Sequence, residues 1–380
     1  MNFDFKEEQL QFADALRRWV ERGYDFERRR AIVRSESGVD DGAWATLAEL
    51  GMTALPVPEE HGGFGGDAVD MFVVMQELGR GLVVEPYLAT VLGAEFLRLG
   101  GAHGELLAKV AGGELKLACA LGERQSRHDL NDIATRAARV DGGWRLDGEK
   151  KAVLHGAAAG VLVVSARGSG SQRDAAGISL FAVPADIPGV TVTGYRTLDG
   201  MCAADVRFDG AVVPESSLIG REGEGGSILE AAADYGAGLL CAEALGAMQA
   251  LFDTTLDYLK TRQQFGVPIA KFQALQHRMA DMVIHLEQAR SMALLAAVRL
   301  AKGNPDERRR TVSAAKYRVG QAARFIGQQA IQLHGGMGVT DELPASHYFK
   351  RLAMIELTLG DSDHHLARFA ALPGFAEAAA

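Results

Sequence analysis

The stretch RQQFGVPIAKFQ at residues 262–273 lies between two long helical patterns and is the part of the sequence that decides the fold. Apolar residues recur at helical spacing before it, over 227–262, and after it, over 272–303. A third helical pattern covers 311–336 and ends in a glycine-rich turn. Because long helices with wide apolar faces and short connections pack against one another, these residues predict a C-terminal four-helix bundle.

Two other patterns precede this bundle. Helical runs closed by glycines fill the first ~110 residues. Seven short β-rich runs then follow from about Leu115, separated by Gly, Asp and Pro, which predicts an antiparallel sandwich or barrel. A chain of 380 residues also exceeds the ~250–300 at which single cores stop growing. We therefore expect a mainly α protein with a central β domain, divided into an N-terminal helical domain (1–113), a β domain (114–225) and a C-terminal helical bundle (226–380).

The composition excludes several classes of protein. Lys and Arg number 40 against 49 Asp and Glu, a net charge of −9, which argues against nucleic acid as the main partner. Three distant cysteines cannot form a disulfide framework or a CxxC zinc site. The N-terminus is acidic where a signal peptide is basic, and no apolar run approaches the roughly 18 residues of a membrane span. We expect a cytoplasmic protein with no membrane partner.

Common hydrolytic and metal motifs are not found in the sequence. It contains no GxSxG elbow and no HExxH pair. The C-terminal histidines His334, His347, His364 and His365 do not have the spacing of a ligand set, so we expect no metal site.

Two segments of the bundle have the chemistry of a cofactor site. Arg262 closes a helix ahead of a loop with side-chain amides, and an arginine fork beside exposed N–H groups suits a pyrophosphate. The turn QLHGGMGVTDELP at 332–344 has glycines that let a ligand approach the backbone closely. The simpler alternatives are a corner packed by Phe265 and Phe272, and a tight turn with no ligand.

These two segments resemble the acyl-CoA dehydrogenase family, with PEEHGGFGG at 58–66 and FDGAVVP at 208–214 in family order. The resemblance implies FAD, an acyl-CoA thioester substrate dehydrogenated at its α and β carbons, a glutamate base, and an electron-transfer flavoprotein as acceptor. It also implies an oligomer in which the adenine and pyrophosphate half of FAD is held across a subunit interface. The residues that would be donated to a neighbour are Arg262, Gln264, Phe265, Gln273, Gln332, Gly335 and Gly336.

The sequence departs from the family at the reacting end of the cofactor. Leu359 stands where the family base is expected, and the alternative base position on the first bundle helix is Gly236. A leucine has no lone pair that could accept a proton. The flavin-facing segments have also changed, to GERQSRHD at 122–129 and AVLHG at 152–156. No catalytic residue is evident, and Asp361 is a weak candidate for a substitute base.

This asymmetry suggests the non-base subunit of a heteromeric acyl-CoA dehydrogenase, whose partner supplies the base. The segments FERRRAIVRSE at 26–36 and LGRGLVVEPYLATV at 78–91 are similar to the small subunit of such heteromers, of which pimeloyl-CoA dehydrogenase is one. Two alternatives remain open. One is a homomeric FAD enzyme acting on acyl-CoA with a substitute base or none; the other is a flavin-free scaffold or acyl-CoA binding subunit.

Overall fold

A computed structural model describes residues 5–302 and 304–372. Their order is helical, then β, then helical, which confirms the expected fold class. The predicted outer limits, 1–113 and 226–380, include residues 1–4, 303 and 373–380, which lie outside the described residues. The helices are α1 (Glu7–Gly23), α2 (Phe26–Arg34), α3 (Asp41–Glu49), α4 (Ala68–Arg80), α5 (Tyr87–Gly100), α6 (Gly104–Ala111), α7 (Gly226–Thr261), α8 (Gln273–Lys302), α9 (Pro305–His334), α10 (Pro344–Leu357) and α11 (Ser362–Ala370).

The chain divides into two compact units, which do not coincide with the three predicted domains. The first, here called the helical unit, comprises residues 5–29, Ala68–Val83 and 237–372; the second, the β unit, comprises Arg30–Asp67 and Val84–Gly236. Each unit therefore combines segments that are distant in sequence. The three-domain limits stay a prediction.

The helical unit is built on α7, α8 and α9. Helix α8 ends at Lys302 and α9 begins at Pro305, so the helical patterns predicted over 272–303 and 311–336 form two separate helices. The carbonyl oxygen of the Asn304 side chain accepts from Glu307 N at 2.9 Å and caps α9, with proline at the first helical position.

Helices α4 and α7 approach so closely that glycine is required on both. A Cβ at Gly79 would lie 2.0 Å from the carbonyl oxygen of Glu243, and one at Gly246 would lie 1.8 Å from that of Gln76. Arg351 on α10 donates to both carboxylate oxygens of Glu243, at 2.6 and 2.8 Å, and both side chains are buried. A bidentate arginine–carboxylate pair thus fixes α10 against α7.

Among residues 5–302 and 304–372, α7 alone is long and apolar enough for a membrane span. However, 89% of that apolar window is buried inside the protein, as expected for a core helix.

The β unit contains one sheet. Its strands are β1 (Leu117–Ala120), β2 (Arg136–Val140), β3 (Gly143–Leu154), β4 (Val161–Arg167), β5 (Ile178–Pro184), β6 (Val190–Arg196), β7 (Cys202–Pro214) and β8 (Leu218–Ile219). The order is β6-β7-β3-β2-β4-β5-β8, with β1 beside β4. All seven predicted β-rich runs form strands. The pairing is antiparallel except that β4 pairs in parallel with both β1 and β2, which the alternation of single strands could not reveal. In the core of the β unit the ring centroids of Trp144 and Phe181 lie 5.3 Å apart in an edge-to-face arrangement.

Candidate functional site

The corner after α7 is an exposed two-residue hairpin. Short strands β9 (Gln263–Gln264) and β10 (Val267–Pro268) pair across Phe265 and Gly266, whose φ values of 54° and 77° are both left-handed. This is the backbone of the tight hairpin turns that favour glycine. Phe265 is 90% exposed, and its ring centroid lies 6.0 Å from that of Phe272 in an edge-to-face arrangement. The corner is therefore not held by a buried aromatic core.

The glycine-rich turn after α9 is open to a ligand. Gly335 has a φ of 60° and begins a 3-10 turn that extends to Val339. A Cβ at Gly335 or Gly336 would meet no atom within 4 Å. The backbone here is therefore accessible from outside the chain, as close approach by a charged group requires.

A ring stack brings the corner and the turn together. Tyr258, in the last turn of α7, stacks on His334, the last residue of α9, with ring centroids 4.5 Å apart. His334 is buried, its Nδ1 lies 2.9 Å from the carbonyl oxygen of Ala330, and burial lowers its pKa. The two motifs that the sequence singled out thus belong to one end of the helical unit.

The predicted cofactor residues fit the ADP half of FAD. They combine one guanidinium, three side-chain amides and exposed glycine backbone, which are donors suited to a pyrophosphate and an adenine. Every one of them is exposed: Arg262, Gln264, Phe265, Gln273, Gln332, Gly335 and Gly336.

The turn after α10 carries Leu359 where the family base is expected. Leu359 is half-buried with a φ of 55°, and Gly360 follows with a φ of 104°. The ammonium of Lys316 on α9 donates to the carbonyl oxygens of Ile355 (2.9 Å), Glu356 (3.0 Å) and Gly360 (2.8 Å). His365 Nε2 lies 2.9 Å from the carbonyl oxygen of Leu359. The turn is therefore held by its backbone, without use of the side chain at 359.

Both groups that hold this turn are buried and have shifted pKa values. Burial lowers the pKa of Lys316 to about 8. Burial, with Lys316 close by, lowers the pKa of His365 to about 3. The sequence pattern does not single out either residue as part of this turn, although Lys316 lies in line with the buried apolar Val312, Val319 and Ala323 of α9. A charged residue on a core-facing stripe indicates a buried polar role.

Asp361 is the N-terminal cap of α11. Its carboxylate accepts from His364 N at 2.8 Å and the residue is buried. A capping carboxylate is part of the helix end, which gives it a structural role. At the other base position α7 carries Gly236 and the buried Ala237, and the nearest carboxylate on this helix is the buried Asp234, two residues before Gly236.

The flavin-facing loop predicted to be altered is closed by a buried ion pair. Lys150 Nζ lies 2.8 Å from Glu123 Oε1 and also donates to Ser165 Oγ at 3.0 Å. Ala152, the first residue of the other altered segment, is exposed with a φ of 53°. The altered segments of the β unit therefore consist of a loop fixed by the Glu123–Lys150 pair and a segment whose exposed first side chain, that of Ala152, is a single methyl group.

Models of three acyl-CoA dehydrogenase domains match the chain in order: the N-terminal domain over residues 6–104, the middle domain over 118–211 and the C-terminal domain over 223–371. The chain therefore belongs to the acyl-CoA dehydrogenase family. It is an FAD-dependent oxidoreductase of that family, and its cofactor is FAD.

Individual relatives extend this match. The short-chain specific acyl-CoA dehydrogenase of Bos taurus mitochondria is 33% identical over 328 residues, covering 83% of this chain and 78% of that protein. The Tcur3481-Tcur3483 steroid ACAD, solved as a variant, is 30% identical with a TM-score of 0.88, covering 98% of this chain and 99% of that one. The ChsE4-ChsE5 complex of Mycobacterium tuberculosis is 26% identical with a TM-score of 0.87, covering 97% and 98%.

Proposed function

We propose that this chain is the non-base subunit of a heteromeric acyl-CoA dehydrogenase. It donates the ADP half of an FAD site, while a partner subunit supplies the glutamate base and the flavin pocket. The substrate class is an acyl-CoA thioester, and an electron-transfer flavoprotein is the acceptor by analogy with the family. A cytoplasmic location remains a prediction.

The observation that carries this proposal is Leu359 on an intact turn. Lys316 and His365 hold the backbone of that turn through hydrogen bonds, but the leucine side chain at 359 cannot accept a proton. Asp361 is occupied as a helix cap, which weakens the alternative of a substitute base in a homomeric enzyme. The family chemistry therefore requires a base from outside this chain.

The exposed corner supports donation to a neighbour. An aromatic ring that is 90% exposed at a hairpin tip contributes nothing to the core of its own chain. Two of the similar structures are of paired proteins, Tcur3481-Tcur3483 and ChsE4-ChsE5, which supports a hetero-oligomer.

The residues of this chain would bind and orient the cofactor. Arg262 pairs with the pyrophosphate through its guanidinium, and the exposed backbone of Gly335 and Gly336 approaches the phosphate or ribose. The amides of Gln264, Gln273 and Gln332 provide donors and acceptors for adenine and ribose. When bound, FAD would accept the hydride that leaves the β carbon of the substrate.

The first test compares the chain expressed alone with the chain co-expressed with a base-bearing family member from the same genome. Alone, we expect little flavin absorbance and no bleaching by acyl-CoA; together, we expect FAD and turnover. Stoichiometric FAD with turnover in the lone chain would refute the heteromer.

A variant pair localises the contribution of this chain. Arg262→Ala in the complex should weaken FAD retention by about tenfold or more, because it removes a charge-assisted contact to phosphate. Arg299→Ala is the matched control, since Arg299 lies 26 residues beyond Gln273 along α8, about 40 Å away. Equal FAD retention in the two variants would contradict the assignment of Arg262.

A further inference from the structure

The ring stack of Tyr258 on His334 joins the two predicted cofactor segments at their helix ends. The ring centroids lie 4.5 Å apart and the ring planes are inclined by 28°, which is the geometry of an attractive aromatic pair. Arg262 N donates to the carbonyl oxygen of Tyr258 at 2.8 Å, so Arg262 follows the ring by one helical turn. Gly335 follows His334 directly. Each ring is therefore connected by a short, ordered piece of backbone to a residue that we expect to hold the cofactor.

The corner after α7 keeps its shape through its own hydrogen bonds. Strands β9 and β10 pair with each other, and Ile269 N donates to the carbonyl oxygen of Arg262 at 2.9 Å. Residues 262–266 are all exposed, so burial contributes little to holding them in place. The position of this corner therefore depends on the helix ends that carry it, and Tyr258 belongs to the last turn of α7.

The glycine-rich turn packs with its backbone on the end of α9. Gly338 is buried, and a Cβ there would lie 2.6 Å from the carbonyl oxygen of Ile331 and 3.0 Å from the Cβ of His334. Contacts this short leave little room for the turn to move independently of the helix end. The place of His334 therefore also sets the place of the backbone of Gly335 and Gly336.

The state of the imidazole ring favours a role in packing over a role as a cation. His334 is 2% exposed, and its Nδ1 lies 2.9 Å from the carbonyl oxygen of Ala330, which can only accept, so Nδ1 carries a hydrogen. Burial lowers the pKa of His334, so the ring is neutral near pH 7. A neutral, buried ring adds no positive charge for a pyrophosphate, and its contribution is its contact with Tyr258.

We propose that Tyr258 and His334 are positioning residues of the ADP half-site. Their stack fixes the distance between the corner that carries Arg262 and the turn that carries Gly335 and Gly336, so that both segments reach one cofactor. The inference rests on the proposed half-site and deepens it, because it names side chains that act through the backbone of the residues that bind.

Loss of the stack should weaken binding without abolishing it. A half-site whose segments are aligned for only part of the time binds with an affinity reduced by that fraction. An aromatic pair of this kind corresponds to a factor of about three to ten in an equilibrium constant. We therefore expect FAD and ADP to bind about threefold to tenfold more weakly when either ring is removed.

The test titrates FAD, and separately ADP, into the cofactor-depleted complex with the base-bearing partner. Tyr258→Leu and His334→Leu break the stack from either side and should weaken both ligands by that factor. Tyr258→Phe keeps a ring and should stay within about twofold of the parent. Combined with Arg262→Ala, Tyr258→Leu should cost less than the product of the two separate losses, because the contact of Arg262 cannot be lost twice.

A second histidine stack in the same unit provides the matched control. The rings of His285 on α8 and Phe325 on α9 are stacked, with centroids 4.1 Å apart. Phe325 lies nine residues before His334, about 13 Å along α9. Phe325→Leu removes a ring from the same kind of pair, so it should lower the melting temperature but leave FAD and ADP binding within about twofold. A thermal melt of every variant checks its folding.

Several results would overturn the positioning role: Tyr258→Leu binding like the parent, Tyr258→Phe binding as weakly as Tyr258→Leu, an equal loss in Phe325→Leu, or weaker FAD with unchanged ADP. If Arg262→Ala itself leaves both ligands unaffected, the half-site assignment is wrong and the positioning role falls with it. The heteromer is tested separately, since the same variants can be titrated in the lone chain if that chain holds FAD.

Discussion

Lys316 is a buried cation whose ammonium donates to three backbone carbonyls at the end of α10 and in the turn that follows. Lys316→Met should lower the free energy of unfolding by about 3 kcal/mol, because three buried carbonyl oxygens lose their donor. Urea unfolding measures the change. Lys350→Met is the control: Lys350 lies on α10 and pairs at the surface with Asp341, a contact worth at most about 1 kcal/mol. Equal losses in the two variants would contradict the role given to Lys316.

His365 should make the fold sensitive to acid. Its pKa is lowered to about 3 in the folded chain, against an ordinary value near 6.5, so below pH 6.5 the unfolded chain takes up a proton that the folded chain does not. Stability from this group is complete above pH 6.5 and is lost as the pH falls towards 3. Between pH 7 and 5 the loss is about 2 kcal/mol.

The measurement is urea unfolding at pH 7 and pH 5 for the parent, His365→Gln and His277→Gln. Glutamine at 365 can still donate to the Leu359 carbonyl but does not titrate. The loss of stability between pH 7 and pH 5 should therefore be about 2 kcal/mol smaller in His365→Gln than in the parent. His277 is exposed on α8, so the same substitution there is the control for replacing a histidine with glutamine. A parent and a His365→Gln variant with identical pH dependence would show that this histidine does not titrate as inferred.

At the scale of elements, the crossing of α4 and α7 depends on the absence of side chains. Gly246→Ala places a methyl group 1.8 Å from a backbone oxygen, so the helices must separate, at a cost of about 1–3 kcal/mol or more. Gly336→Ala is the control in the same unit, because a Cβ there meets no atom within 4 Å and the φ of Gly336 is not positive. Chemical denaturation should give a clearly lower free energy of unfolding for Gly246→Ala than for Gly336→Ala. A Gly246→Ala protein as stable as the parent would rule out the tight crossing.

Elements were predicted better than their pairing. Helical periodicity predicted α8 and α9, and all seven β-rich runs form strands. These are local signals, carried by neighbouring residues. The parallel pairing of β1 and β2 with β4, and the contact of Gly246 with Gln76, join residues far apart in sequence. No local pattern contains that information.

For the candidate site too, local sequence signals were informative and contacts between distant residues were not predicted. The residue types and glycines of 262–273 and 332–344 predict a cofactor site, and the Tyr258–His334 stack places the two segments at one end of the helical unit. The buried Lys316 and the Glu123–Lys150 pair were not predicted, because their partners are set by tertiary packing.

For the whole molecule, family membership and cofactor follow from matches along nearly the full chain. The division into two compact units mixes the N-terminal helices α1 and α4 with the C-terminal bundle, which composition along the chain does not suggest. The proposed hetero-oligomer belongs to this scale, since in that proposal another polypeptide supplies the base.

The turn at Leu359 has a consequence for how such a subunit could arise. Lys316 and His365 hold it through carbonyl oxygens, which every amino acid provides. A gene copy that exchanged a glutamate for a leucine at this position would therefore still encode a folded protein. Selection acting on folding alone would not detect the exchange, so a duplicated subunit could lose its chemistry in one step and persist as an assembly partner.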